Sequence, residues 1–130
     1  LNIPDTKRTL ELMRAHGIKK ATVHFSGGND EGYAEPPSFE MEPGLAAFTL
    51  PRAYEYIEYG RYPNPPTMKH DAPTLAQLAA GLERPIDERY GSFAGEFYVD
   101  GDVIWDADAG TCVMEHDYET PSSEHLTTEF

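Results

Sequence analysis

The sequence predicts an α+β fold: an antiparallel sheet, largely a meander, with two to three helices packed on one face, in a single domain spanning residues 1–130. Three observations predict it. Helical spacing is confined to Thr6–His16, a short tyrosine-rich stretch and Leu75–Leu82; alternation of strand formers recurs elsewhere; and Gly- or Pro-rich reversals separate the alternating runs. A chain of 130 residues fits one core, because domain sizes cluster at about 100–150 residues.

Asp5 is placed to cap a first helix over Thr6–His16, with Leu10 and Met13 on one side and Gly17 just beyond. From Ile18 the period changes: Ala21, Val23 and Phe25 alternate with Thr22 and His24, the pattern of a strand. Ser26-Gly27-Gly28-Asn29-Asp30-Glu31-Gly32 tolerates positive φ and turns the chain, and Tyr33–Glu35 and Ser38–Met41 resume extended spacing as the return strand. Pro36 and Pro37 cannot donate to a ladder, so that strand belongs at an edge or bulge. Ala46–Leu50 is short and apolar and predicts a third strand. Arg52–Tyr62 predicts a short helix or turn starting at Pro51, followed by a stiff proline-rich connection up to Pro73. Thr74 then caps a second helix in which Leu75, Leu78, Ala79 and Leu82 form one stripe, ended by Pro85. Phe93–Val99, Asp102–Asp106 and Thr111–Tyr118 predict consecutive strands, with Asp100-Gly101 as a two-residue hairpin turn and Ala109-Gly110 at the next reversal. On that register Phe93, Phe97, Val99 and Ile104 share the helix-facing side, and Trp105 is left partly exposed or covered by the tail.

The charge is regional. Gly91–Phe130 contains no Lys or Arg and ten carboxylates, whereas the first ninety residues carry ten Lys plus Arg against thirteen Asp plus Glu, so the net charge of -13 divides into -3 and -10. Such a field repels nucleic acid, anionic lipid and phosphorylated ligands and steers cationic partners toward the C-terminal third. No apolar run approaches the roughly 18 residues of a membrane helix. The single cysteine, Cys112, excludes an internal disulfide or a thiolate-rich zinc site. With no signal-peptide pattern at Leu1–Asp5, a cytoplasmic location is expected.

Several chemistries can be weighed on these residues. Ser26-Gly27-Gly28-Asn29-Asp30 is similar to the pyrophosphate loop of adenylating ATPases, where glycine-exposed N–H groups cradle phosphate. Here Glu31 adds a negative charge and no helical pattern follows, so a hairpin turn is the preferred reading. His16, His24, His70, His116 and His125 contain no His-x-x-x-His pair; Glu115-His116 and Glu124-His125 are the nearest approach to a repeated dyad. Asp106-Ala107-Asp108 lacks the glycine and twelfth-position glutamate of a calcium loop. An acidic neighbourhood discourages a Cys112 thiolate. No cofactor and no metal-ligand set is therefore expected. Tyr54, Tyr56, Tyr59 and Tyr62 cluster beside Arg52 and Arg61, a composition that serves either a small core or an interface. Glu115, Asp117 and Glu119 share one parity and form a row of carboxylates able to imitate a few phosphates.

Two segments carry a family resemblance. Val23-His24-Phe25-Ser26-Gly27-Gly28-Asn29-Asp30-Glu31-Gly32, together with Gly91, Gly95-Glu96-Phe97, Glu115-His116, Ser123-Glu124-His125 and the terminal Glu129-Phe130, resembles a small, acidic, uncharacterised family found in bacteria, plasmids and phages. The resemblance brings no catalytic residues and implies an accessory or anti-defence role. The function expected is an acidic, non-enzymatic inhibitor, anti-CRISPR-like, that blocks a basic nucleic-acid-binding surface on a host protein by partial DNA or RNA mimicry. Its partner-binding residues are Glu96, Asp100, Asp102, Asp106, Asp108, Glu115, Asp117, Glu119 and Glu124, with Tyr54, Tyr56 and Tyr59 as apolar anchors. The alternatives are a small metal-dependent hydrolase using His116 and His125 with neighbouring carboxylates, and a structural or assembly subunit of a phage or larger complex.

Overall fold

The computed structural model describes residues 3–50, 57–58, 67–68, 73–120 and 123–130. Helix α1 (Thr6–Ala15) begins where the Asp5 carboxylate accepts the Arg8 N–H at 2.8 Å and buries Thr9, Leu10, Leu12 and Met13. Gly17, at φ +72°, reverses the chain into β1 (Ile18–Gly28). Asn29 and Asp30, at φ +52° and +70°, form a two-residue turn with the twist an antiparallel hairpin prefers, and β2 (Glu31–Ala34) returns along β1. After the prolines, β3 (Ser38–Met41) pairs farther down the same edge of β1. The strand expected over Ala46–Leu50 does not form. The β1 edge beside it is already occupied by β3, and the segment is held by side chains instead: Phe48 packs on Phe39 at 5.1 Å and Leu50 is fully buried.

Ile57–Glu58 (β4) and Thr67–Met68 (β5) pair antiparallel as a separate ribbon, so the described part of Arg52–Tyr62, where a short helix or turn was expected, is extended. The rest of the tyrosine-rich stretch, including Tyr54, Tyr56 and Tyr59, lies outside the described residues. Helix α2 (Pro73–Tyr90) includes Thr74 in its first turn rather than as a cap, and it continues through Pro85. The proline removes one donor and leaves the Gly81 carbonyl without its i+4 partner. Burial of Pro85, Leu82 and Ile86 sustains the helix past that point, and the next carbonyl, Leu82 O, accepts Trp105 Nε1–H at 3.2 Å.

Strand β6 (Tyr98–Asp106) runs unbroken through Asp100-Gly101, which corrects the hairpin expected there. It pairs with β1 on one side and β7 (Thr111–Glu119) on the other, and β8 (Ser123–Glu129) closes the sheet. Gly101 is needed for close approach and not for a turn: a Cβ there would lie 2.7 Å from Glu115 O and 2.9 Å from both His116 Cβ and Phe25 Cε1. The continuous strand also fixes which face is inside. Val99, Val103 and Trp105 point inward, Trp105 is completely buried, and Ile104 turns outward, opposite to the register expected from a turn at residue 100.

The sheet order is β2–β1–β6–β7–β8, all antiparallel, with β3 beside β2 on the β1 edge. Both described helices pack on one face, where Leu10, Met13, Leu78, Leu82 and Ile86 meet Val23, Phe25, Val103 and Trp105 in one core. The chain is thus an α+β protein with a helix-covered face and an opposite face built from residues such as Thr22, Asp102 and Glu115.

Candidate binding face and its polar environment

Cross-strand pairing sets four carboxylates in a block on the outer face. Asp100 stands opposite Asp117, and Asp102 opposite Glu115. Alternate residues on a strand are about 7 Å apart and neighbouring strands about 5 Å apart, so the block is a compact two-by-two lattice. Glu119 extends it beside Tyr98. The row Glu115, Asp117, Glu119 falls on one face as its parity requires, and β6 contributes Asp100, Asp102 and Asp106 to the same side.

An imidazole flanks the block on each side. His24 on β1 pairs in register with Asp102; its Nδ1 lies 3.0 Å from Asp102 Oδ1 and its Nε2 3.2 Å from Asp100 Oδ1. The hydrogen bond to Asp102 raises the His24 pKa above 6.5, partial desolvation opposes it, and the charges of Asp100, Asp102 and Glu35 add to the rise. On β8, His125 Nδ1 lies 2.6 Å from Asp117 Oδ1. These two histidines complete the face, and neither was paired with its carboxylates at the level of sequence. The usable signal was alternation across Val99-Asp100-Gly101-Asp102-Val103, which a reading of Asp-Gly as a turn conceals.

The remaining acidic residues separate from the block. Glu124 pairs with Tyr118 and therefore belongs to the opposite parity of β8. Asp108 sits in the β6–β7 turn, 3.8 Å from Lys19 Nζ. In that turn Asp106 Oδ1 accepts the Ala109 N–H at 3.0 Å, a local bond that accounts for the Asp-Ala-Asp sequence without an ion. Glu96 lies ahead of β6 and lines a small depression with Arg89, Phe97 and Tyr118.

His116 and His125 occupy opposite sides of the sheet, because His116 pairs with Leu126 while His125 pairs with Asp117. His116 is 1% exposed and bridges α2 to β8: the Tyr90 hydroxyl bonds its Nδ1, and Thr128 Oγ1 lies 3.0 Å from its Nε2. Burial lowers its pKa, reinforced by the Arg89 and His125 charges, so the ring is a neutral structural link. The two histidines thus form no common site. Among the described residues no group of three His, Cys, Asp or Glu is arranged to hold a metal ion. Cys112 is buried and its thiol is pushed up to about 12, chiefly by burial, which removes it as a nucleophile near neutral pH.

The Gly-rich hairpin has a packing role. Gly27 and Gly32 face each other across β1 and β2, and the Phe93 ring lies against both. Phe93 holds φ +59°, accepts the Asp30 N–H at 2.9 Å and stacks on Tyr90 with centroids 5.6 Å apart. An aromatic ring therefore fills the place that a phosphate cradle would need open.

Comparison with protein-family models, with curated proteins and with solved structures finds no match to this chain.

Proposed function

We propose that the chain is a non-enzymatic acidic binding protein whose outer sheet face occupies a basic, nucleic-acid-binding surface of another protein. One observation carries the reading: Asp100, Asp102, Glu115 and Asp117 form a contiguous block on an outward sheet face, with His24 and His125 as the groups that contact it. A lattice of fixed carboxylates presents negative charge at the spacing of strands and can fill sites where arginines and lysines hold phosphates. The resemblance to an acidic family of mobile elements supports a host defence effector, such as a CRISPR nuclease, as the target. The hydrolase alternative gains no shared site from His116 and His125, and an assembly subunit would use the same face toward a basic neighbour.

The test is a pull-down from host lysate with wild type and with a Glu115→Lys, Asp117→Lys, Glu119→Lys variant at two salt concentrations. Capture of a nucleic-acid-binding protein by wild type alone, released by salt, is expected, because exposed charge pairs weaken as ionic strength rises. Equal capture by both proteins, or retention independent of salt, would move the interface off this face.

A further inference from the structure

The outer face changes character at the hairpin end of the sheet. Cross-strand partners share a face, so the register sets two rows there: Glu31, Gly28, Tyr98 and Glu119 in one, and Tyr33, Ser26, Asp100 and Asp117 in the next. Gly28 leaves a gap in the first row. At φ +147° it admits no side chain, since a Cβ would run into the Phe97 carbonyl oxygen, and the gap is therefore a hollow floored by backbone. Tyr98 stands directly opposite Gly28 and Tyr33 diagonal to it, about 5 Å and about 7–8 Å away, distances that aromatic side chains span. These residues line one part of a cavity of about 760 Å³, whose other part lies against Ile86 and Phe93.

Two observations independent of the acidic block point to an occupant. Tyr33 and Tyr98, 56% and 48% exposed, flank the same hollow, and tyrosine is enriched among the residues that anchor protein interfaces. Ser26 lines the hollow and is only 6% exposed, and among the described residues no hydrogen bond engages its hydroxyl. A buried hydroxyl left without a partner is destabilising, and a donor seated over Gly28 would remove that cost. The walls set the charge of the occupant. His24 meets Asp100 through Oδ1, which leaves Oδ2 of the same carboxylate as an acceptor, and Glu31 stands exposed at the rim. A guanidinium suits all of these groups at once, because it is flat, stacks on aromatic faces, carries five N–H donors and is less strongly hydrated than an ammonium ion.

We propose that this hollow takes an arginine side chain of the basic partner, its guanidinium lying against Tyr98 and Tyr33 and donating to Ser26 Oγ and Asp100 Oδ2. The proposal rests on the reading of the outer face as a binding surface and adds a specificity to it, arginine over lysine. The carboxylates attract either cation, and the tyrosines with the serine hydroxyl distinguish them.

The experiment titrates ¹⁵N-labelled protein with the blocked peptides Ac-Gly-Arg-Gly-NH2 and Ac-Gly-Lys-Gly-NH2, following amide shifts. Expected are saturable shifts at Ser26, Gly28, Tyr33 and Tyr98 with the arginine peptide and about tenfold weaker binding of the lysine peptide. Ser26→Ala should weaken the arginine peptide about threefold, and Tyr98→Ser should bring the two peptides close to equal affinity. Equal affinities in wild type, or a preference unchanged by Tyr98→Ser, would overturn arginine selection. Absence of shifts, or shifts confined to the amides of Asp102, Glu115, Asp117 and His125, would overturn the hollow as the site. The Glu115→Lys, Asp117→Lys, Glu119→Lys variant keeps Ser26, Tyr33, Tyr98 and Asp100, so it should bind both peptides more weakly while preserving their ratio. Its failure to capture a partner from lysate therefore tests the acidic row separately.

Discussion

Gly27→Ala tests whether the Ser-Gly-Gly sequence serves packing. A Cβ at residue 27 would lie 2.5 Å from Phe93 Cε1 and 2.8 Å from Cγ, against about 3.5–4.0 Å for carbon atoms in contact. The ring would have to move by about 1 Å. Its movement is restrained, because the ring stacks on Tyr90 with centroids 5.6 Å apart and the Phe93 backbone is tied to Tyr90 O and Asp30 N, each at 2.9 Å. Overpacking costs about 1–3 kcal/mol, and complete loss of a buried phenylalanine about 3–5 kcal/mol, so the expected loss is about 2–4 kcal/mol. Urea unfolding followed by Trp105 fluorescence measures it, since this is the sole tryptophan and is fully buried. In a Phe93→Ala background Gly27→Ala should be nearly neutral, a coupling as large as the loss itself, about 2–4 kcal/mol. A loss below about 0.5 kcal/mol, or the same loss in both backgrounds, would refute the packing argument and return the glycine to a backbone or ligand role.

Three further outcomes are expected. By proton NMR, His24 should titrate above 6.5 and His116 below it, and Asp102→Asn should lower only the His24 midpoint; the reverse order would mean that the partners are misassigned. The stability signs are opposite: stabilisation from His24 is full below pH 6.5 and is lost as pH rises through its raised folded pKa, whereas that from His116 is full above 6.5 and is lost as pH falls through its lowered one. Cys112, with its thiol near 12, should react with iodoacetamide at pH 8 more than about a hundredfold slower in native protein than in urea, and comparable rates would place it at the surface. Glu115→Gln should stabilise the protein in low salt by about 0.2–1 kcal/mol by relieving its pairing with Asp102, with the gain vanishing in high salt; destabilisation in urea melts would show that the carboxylate has a favourable partner.

Legibility followed the range over which each signal acts. The Asp5 cap, the β1 alternation and the Ala109-Gly110 reversal are local, and the structure reproduces all three. Pro85 and Asp100-Gly101 have strong local preferences that tertiary contacts overrule: the buried stripe through Ile86 carries α2 onward, and the crowding of Phe25 and His116 against residue 101 makes glycine a requirement within a strand. The second of these had the larger consequence, because a spurious two-residue turn reverses the inward set and sends Trp105 to the surface. Parity within β7 was readable, so the row Glu115, Asp117, Glu119 was placed correctly. Its extension to Asp100, Asp102 and His24 depends on the register between β7, β6 and β1, which no local pattern specifies. Glu124 shows the same limit from the other direction, since its parity becomes defined only when β8 is aligned with Tyr118.

The distribution of charge between the faces bears on why the acidic block exists. Like charges directly opposite on neighbouring strands destabilise a sheet by about 0.2–1 kcal/mol per pair, and this sheet contains two such pairs, Asp100 with Asp117 and Asp102 with Glu115. A face shaped for solubility and stability would intersperse lysine among these positions, as happens at the far end of β6, where Asp106 pairs with Lys20. Around the block the flanking groups that contact it are instead imidazoles, whose positive charge is conditional on pH: His24 spans Asp100 and Asp102, and His125 meets Asp117. Among the described residues, repulsion is therefore only partly offset. On the proposed reading a partner's arginines or lysines would supply the rest, and relief of the repulsion among four carboxylates would add to the binding free energy.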